Sequence, residues 1–174
     1  MNKLIVILSI LLISSCMESK NKIKKQIADA EEELYSSSST IMDNEKSHKL
    51  LDLYISYADK YQDDTASASY LFKAADITIN IHRPEQSITL LGRVQRYPLF
   101  LKTPLALFLQ GFIAETELHD IKQAEEFYKL FLKKYPTNKL ADDVQSSLLN
   151  LGKSPEELIR EFESKDSTRS SLSD

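Results

Sequence analysis

The chain has 174 residues, of which 42% are hydrophobic and 28% charged, with 3 Gly, 5 Pro and one Cys. That is enough chain for one domain with tails and a hydrophobic core, while the lone cysteine excludes an intrachain disulfide and gives a thiolate metal cluster nothing to build on. The net charge of −4 leaves no long-range attraction for phosphate backbones, so nucleic acid is not expected as a partner.

Met1-Asn2-Lys3 opens the chain with a positive charge, and Leu4 to Ile13 is an apolar run broken only by Ser9. A helix needs about 20 apolar residues to cross roughly 30 Å of hydrocarbon, so this run reads as the core of a secretory signal rather than a membrane span. Ile13-Ser14-Ser15-Cys16 closes it. An aliphatic residue, two small residues and a cysteine resemble the lipobox of bacterial lipoproteins. The resemblance implies diacylglycerol transfer to the Cys16 thiol, cleavage before Cys16, and acylation of the new amine. Loss of Lys3 would then take the net charge to −5. Two or more acyl chains give stable anchoring, at about 0.8 kcal/mol per buried CH₂. Met17 stands where lipoproteins kept in the inner membrane carry Asp, so the expected location is the cell envelope, anchored in the outer membrane with the domain in the periplasm. An ordinary secretory signal with an incidental cysteine is the alternative.

Four segments follow from composition: 1–15 as signal peptide, 16–44 as lipidated amino terminus with tether and first helix, 45–163 as a helical domain, and 164–174 as a disordered tail. Lys20, Lys22, Lys24 and Lys25 read as a solvated tether, with an RNA site as the alternative. Lys22 to Tyr35 permits a helix with Ile23, Ile27 and Leu34 on one side, and Ser36 to Thr40 interrupts it. Leu50, Leu53, Tyr54, Tyr57, Ala58 and Tyr61 then follow helical spacing, as do Leu105, Phe108, Leu109, Phe112 and Ile113. Ile121, Ala124, Tyr128, Phe131 and Tyr135 repeat the pattern with Phe127 alongside, predicted as core. Leu140, Val144, Leu148 and Leu151 make a shorter stripe. No stretch alternates long enough for a strand, so the fold class is all-α. Thr103-Pro104 and Ser154-Pro155 predict capped helix starts, Pro84 opens a helix, and Pro98 and Pro136 each end one. Ser154 to Glu157 and Asp120 to Gln123 fit capping boxes.

Tyr97-Pro98 and Tyr135-Pro136 lie 38 residues apart, with Leu90 matching Tyr128, Val94 matching Leu132, and Tyr70 and Ala74 matching Phe108 and Phe112. Tyr61-Gln62 reads as a half-repeat without its proline. Together with Tyr70 to Asp76 and Ala124 to Pro136, this resembles the tetratricopeptide repeats (TPR) of small bacterial envelope lipoproteins, including those of outer-membrane assembly. The resemblance covers residues 48–151 and implies a helical-hairpin solenoid of about two full repeats plus capping helices, with Ala74, Ala124 and Ser87 as the small residues at helix crossings. The period exceeds the usual ~34, with the extra residues in Leu99 to Lys102 and the small residue of the second A-helix displaced to Gly111.

The same resemblance puts a protein-binding concave face at Leu71, Ala75, Thr78, Leu109, Ile113 and Thr116, with packing against neighbouring helices as the alternative. Leu99-Phe100-Leu101 is either tucked under a repeat or an exposed contact spot. His82 and His119, near the ends of A-helices, suit the helix dipole; no third ligand accompanies them, so no metal and no cofactor are expected. Asp63-Asp64 and Asp142-Asp143 read as solvated helix starts, and no catalytic motif is present. The expected function is a membrane-anchored protein–protein interaction scaffold of the cell envelope, not an enzyme. A small-ligand-binding lipoprotein of nutrient uptake is the alternative.

Overall fold

The computed structural model describes residues 2–36, 43–154, 156–161 and 163, with side chains from residue 19 onward. Its helices are α1 (Asn2–Tyr35), α2 (Asn44–Lys60), α3 (Thr65–Asn80), α4 (Pro84–Val94), α5 (Thr103–Thr116), α6 (Ile121–Lys134) and α7 (Ala141–Asn150). Residues 156–161 are also helical, and no strand occurs among the described residues. The serine run from 37, Pro155 and the tail at 164–174 lie outside the described residues. Among those described, no helix is long and apolar enough to cross a membrane.

The chain forms two compact units divided between Phe100 and Leu101. In the first, α1 packs on α2, α2 on α3 and α3 on α4; in the second, α5 packs on α6 and α6 on α7. Residues 16–35 are helical throughout, and Ile27, Ala30 and Leu34 are buried, so the first helix belongs to the core of unit one. The α2 stripe works as its spacing predicts: Leu50, Leu51, Tyr54, Tyr57 and Ala58 are all buried. Asp43 caps α2 through the Lys46 N–H at 3.0 Å, Asp64 caps α3 through the Ala66 N–H at 2.9 Å, and Asp120 caps α6 through the Gln123 N–H at 2.9 Å. These bonds satisfy donors that a helix start otherwise leaves open. Ser154 and Glu157 form the reciprocal capping box. Thr103 behaves otherwise than expected. It is buried within the first turn of α5, and Lys102 is the capping residue.

Self-similarity is visible in the turns. The carbonyls of Tyr61, Tyr97 and Tyr135 each accept the N–H three residues on, from Asp64 at 3.0 Å, Phe100 at 3.0 Å and Asn138 at 3.1 Å. A new helix then starts at Thr65, Thr103 and Ala141, so the proline-less Tyr61-Gln62 makes the same kind of turn as the two Tyr-Pro pairs. Within the α3–α4 and α5–α6 hairpins, His82 (φ 58°) and His119 (φ 54°) occupy the left-handed region, which L-residues enter at a cost of about 1–2 kcal/mol. Both histidines are therefore turn residues beyond the helix ends.

The buried positions correct the 38-residue alignment. Ala74 and Gly111, Ser87 and Ala124, Leu91 and Tyr128, and Val94 and Phe131 are buried pairs spaced 37 apart. Phe112, matched to Ala74 at 38, is 45% exposed, and Leu132 is half-buried. The turns keep the spacing of 38 because α6 runs on to Lys134, beside Tyr135, whereas α4 stops at Val94. The result is a helical, repeat-like fold of packed adjacent helices.

Candidate functional site

Helix α5 is apolar nearly all round, so packing rather than spacing decides which side it hides. Thr103, Ala106, Leu107, Gln110, Gly111, Ile113 and Ala114 are buried. The approach to α6 is closest at Gly111, where a Cβ would stand 2.5 Å from a Tyr128 ring carbon; only a residue without a side chain fits there. Leu105, Phe108 and Leu109 remain half-buried, and Phe112 and Thr116 are exposed. Positions 105, 109, 112 and 116 fall on one side of a helix, giving an apolar stripe that keeps access to solvent. The Phe108 ring anchors this stripe, lying 6.0 Å from the Tyr128 ring and 6.2 Å from that of Phe112, centre to centre. Tyr128 is itself fixed: its ring is buried, and its hydroxyl donates to Glu115 Oε2 at 2.6 Å. Burial, followed by that bond, pushes the Tyr128 phenol well above its usual pKa.

Only part of the predicted concave face has surface to offer. Leu109 is half-buried and Thr116 exposed on the α5 stripe. Leu71, Ala75 and Thr78 lie in the core of unit one, and Ile113 in that of unit two. The Ala75 carbonyl accepts the hydroxyls of Thr78 at 2.8 Å and Ser87 at 2.9 Å, so this group holds α3 to α4. The side of α3 that does reach solvent carries Lys73, Asp76 and Asn80 and is polar. Leu99 and Leu101 are 92% and 95% exposed, whereas the Phe100 ring lies edge-on to Phe72, centres 6.3 Å apart. The two expectations for that tripeptide thus divide between its residues.

Unit one also contains two polar clusters that spacing does not reveal. Asp64 accepts from the Tyr57 hydroxyl at 2.5 Å and pairs with Lys20 at 2.5 Å, besides capping α3. Burial alone would raise its carboxyl; the bonds from Lys20, Tyr57 and the Ala66 N–H outweigh that and hold it far below the usual carboxylate range. Glu31 accepts from the Tyr54 hydroxyl at 2.5 Å and from Lys73 at 2.6 Å. Here too burial works upward, and the bonds from Lys73 and Tyr54 prevail and lower the carboxyl. The tyrosines move the other way, with burial first and the carboxylate bond second raising both phenols. Asp64 thus stands at a helix start as expected, but shielded by its partners rather than solvated, and Lys20 is bound to the domain rather than free in a tether.

No family model matches the chain, and no curated protein is similar to it in sequence. A groove of about 590 Å³ between α1 and α2 is lined by Gln26, Asp29, Ala30, Lys49, Asp52, Leu53 and Ser56. Without an aromatic ring in that lining, it offers little of the apolar enclosure that small-molecule sites use. Among the described residues no group of three or more His, Cys, Asp or Glu is placed to hold a metal ion.

Proposed function

We propose that the chain is a lipoprotein of the bacterial cell envelope whose TPR-like hairpins bind a protein partner, with the α5 stripe as the contact face. The observation that carries this reading is Phe112: a phenylalanine in mid-helix, 45% exposed, in line with Leu105, Leu109 and Thr116. Aromatic side chains in such positions supply much of the energy of protein interfaces. A helix face with apolar residues at this spacing suits an apolar peptide or helix laid along it. The repeated Tyr turns and the close Gly111–Tyr128 crossing support the likeness to TPR hairpins. The lipobox at Ile13 to Cys16 supports anchoring through Cys16, and Met17 supports the outer membrane, with the domain in the periplasm. The exposed stripe suits a scaffold rather than an enzyme.

A photo-crosslinking residue in place of Phe112, used in intact cells, tests the reading. The expected result is an adduct with one envelope protein that disappears when Leu109→Asp is added. Adducts with no recurrent partner, or a partner unaffected by Leu109→Asp, would remove the stripe as the binding face.

A further inference from the structure

The stretch of α1 that follows Cys16 is held fast to the rest of the first unit. From Cys16 to Tyr35 the backbone is one uninterrupted helix with no Gly or Pro, so four residues of rise, roughly 6 Å, separate Cys16 from Lys20. Lys20 is tied to Asp64 at the start of α3, 2.5 Å away. One residue earlier, Ser19 Oγ accepts from Lys60 Nζ at the end of α2, at 2.7 Å. The Tyr61 ring lies below both ammonium groups, 5.6 Å from that of Lys20 and 5.5 Å from that of Lys60. At the opposite end of the α1–α2 hairpin, Glu33 pairs with Lys49 at 2.7 Å, so the two helices run antiparallel. The α2–α3 turn, residues 61–64, therefore lies beside Ser19 and Lys20 of α1, and the start of α2 lies roughly 25 Å further off.

We propose that the first unit has no free tether: once Cys16 is acylated, the corner made by Ser19, Lys20 and the α2–α3 turn rests on the phospholipid headgroups, with α1 as a stiff post. The inference rests on the lipoprotein reading above and adds an orientation to it. Acyl chains on Cys16 fix that residue at the edge of the hydrocarbon, and one helical turn leaves no slack for the domain to swing away. Lys22 and Lys60 are exposed beside this corner and suit the phosphates of the headgroup layer.

The test uses the mature lipidated chain, in which acylation blocks Cys16, so that a second cysteine is the only free thiol. Gln62→Cys, at the corner, and Glu45→Cys, at the far end of α2, are labelled with a fluorophore. The proteins are placed in vesicles of phosphatidylethanolamine and phosphatidylglycerol that contain a headgroup spin-labelled lipid as quencher. Several-fold stronger quenching at 62 than at 45 is expected. A flexible insert of about ten Gly and Ser residues after Met17, spanning roughly 17 Å root-mean-square, should bring the two signals together. Equal quenching without the insert, or an insert with no effect, would overturn the inference while leaving the lipoprotein reading intact. A chain that incorporates no labelled palmitate in cells would remove both.

Discussion

Gly111→Ala sets two opposing effects against each other, and the geometry decides the sign. In an open helix the change stabilises by about 1 kcal/mol, because alanine is the better helix former. At this crossing the new Cβ would meet Tyr128 Cε1 at 2.5 Å and Cδ1 at 2.7 Å, with Phe127 Cβ at 3.3 Å. Ordinary carbon contacts begin near 3.5 Å, so the ring must retreat by about 1 Å. It has nowhere to go: Tyr128 is fully buried, its hydroxyl is held by Glu115 at 2.6 Å, and its ring faces Phe108. Overpacking costs about 1–3 kcal/mol, and disturbing a hydrogen bond to a carboxylate adds about 1.5–3 kcal/mol. The net expectation is a loss of roughly 1.5–5 kcal/mol against a domain stability of about 5–15 kcal/mol. Urea unfolding followed by circular dichroism should show a lower midpoint with little change in slope. Adding Tyr128→Leu, which withdraws the ring, should make Gly111→Ala much cheaper, a coupling of the size seen between touching residues. An unchanged or higher midpoint for Gly111→Ala alone would refute the close crossing.

Phe131→Ala empties a fully buried position of α6 and should cost about 3–5 kcal/mol, read as a lower unfolding midpoint, whereas Phe127→Ala, half-buried, should cost clearly less. Acid should weaken unit one. The Asp64 and Glu31 carboxyls are lowered in the fold, so their contribution is complete above the unfolded value of about 4 and fades as pH falls below it. The phenols of Tyr54 and Tyr57 are raised, so their contribution is complete below about pH 10 and fades above it. Urea midpoints at pH 7 and pH 3 should therefore fall less for Asp64→Asn than for the natural chain, although Asp64→Asn starts lower; an equal acid loss would contradict the shielded carboxylate.

Strongly two-faced helices were legible from spacing, and evenly apolar ones were not. In α6 charged residues alternate with Ala124, Tyr128 and Phe131 at helical intervals, and these three are the residues it buries. Along Leu105 to Ala114 of α5 the only polar side chain is Gln110, itself buried, so spacing could not say whether Ile113 or Phe112 met solvent. The same ambiguity put Leu71, Ala75 and Thr78 on a predicted binding face when α3 hides them. Small residues were the better guide: Ala74, Ser87, Gly111 and Ala124 all sit at buried positions. The Tyr54–Glu31 and Tyr57–Asp64 bonds join residues 23 and 7 positions apart, and the first depends on tertiary packing that helical spacing does not encode.

The place of α1 has a practical side for anyone preparing this protein. A shortened chain beginning at Asn44, the obvious cut if everything before it is regarded as leader and spacer, would strip Ile27, Ala30 and Leu34 off α2 and leave the Tyr54 phenol without its Glu31 acceptor. Such a truncation would bare a sticky helix flank and invite clumping. Preparations that begin at Ser19 keep the buried part of that helix and the Lys20–Asp64 pair.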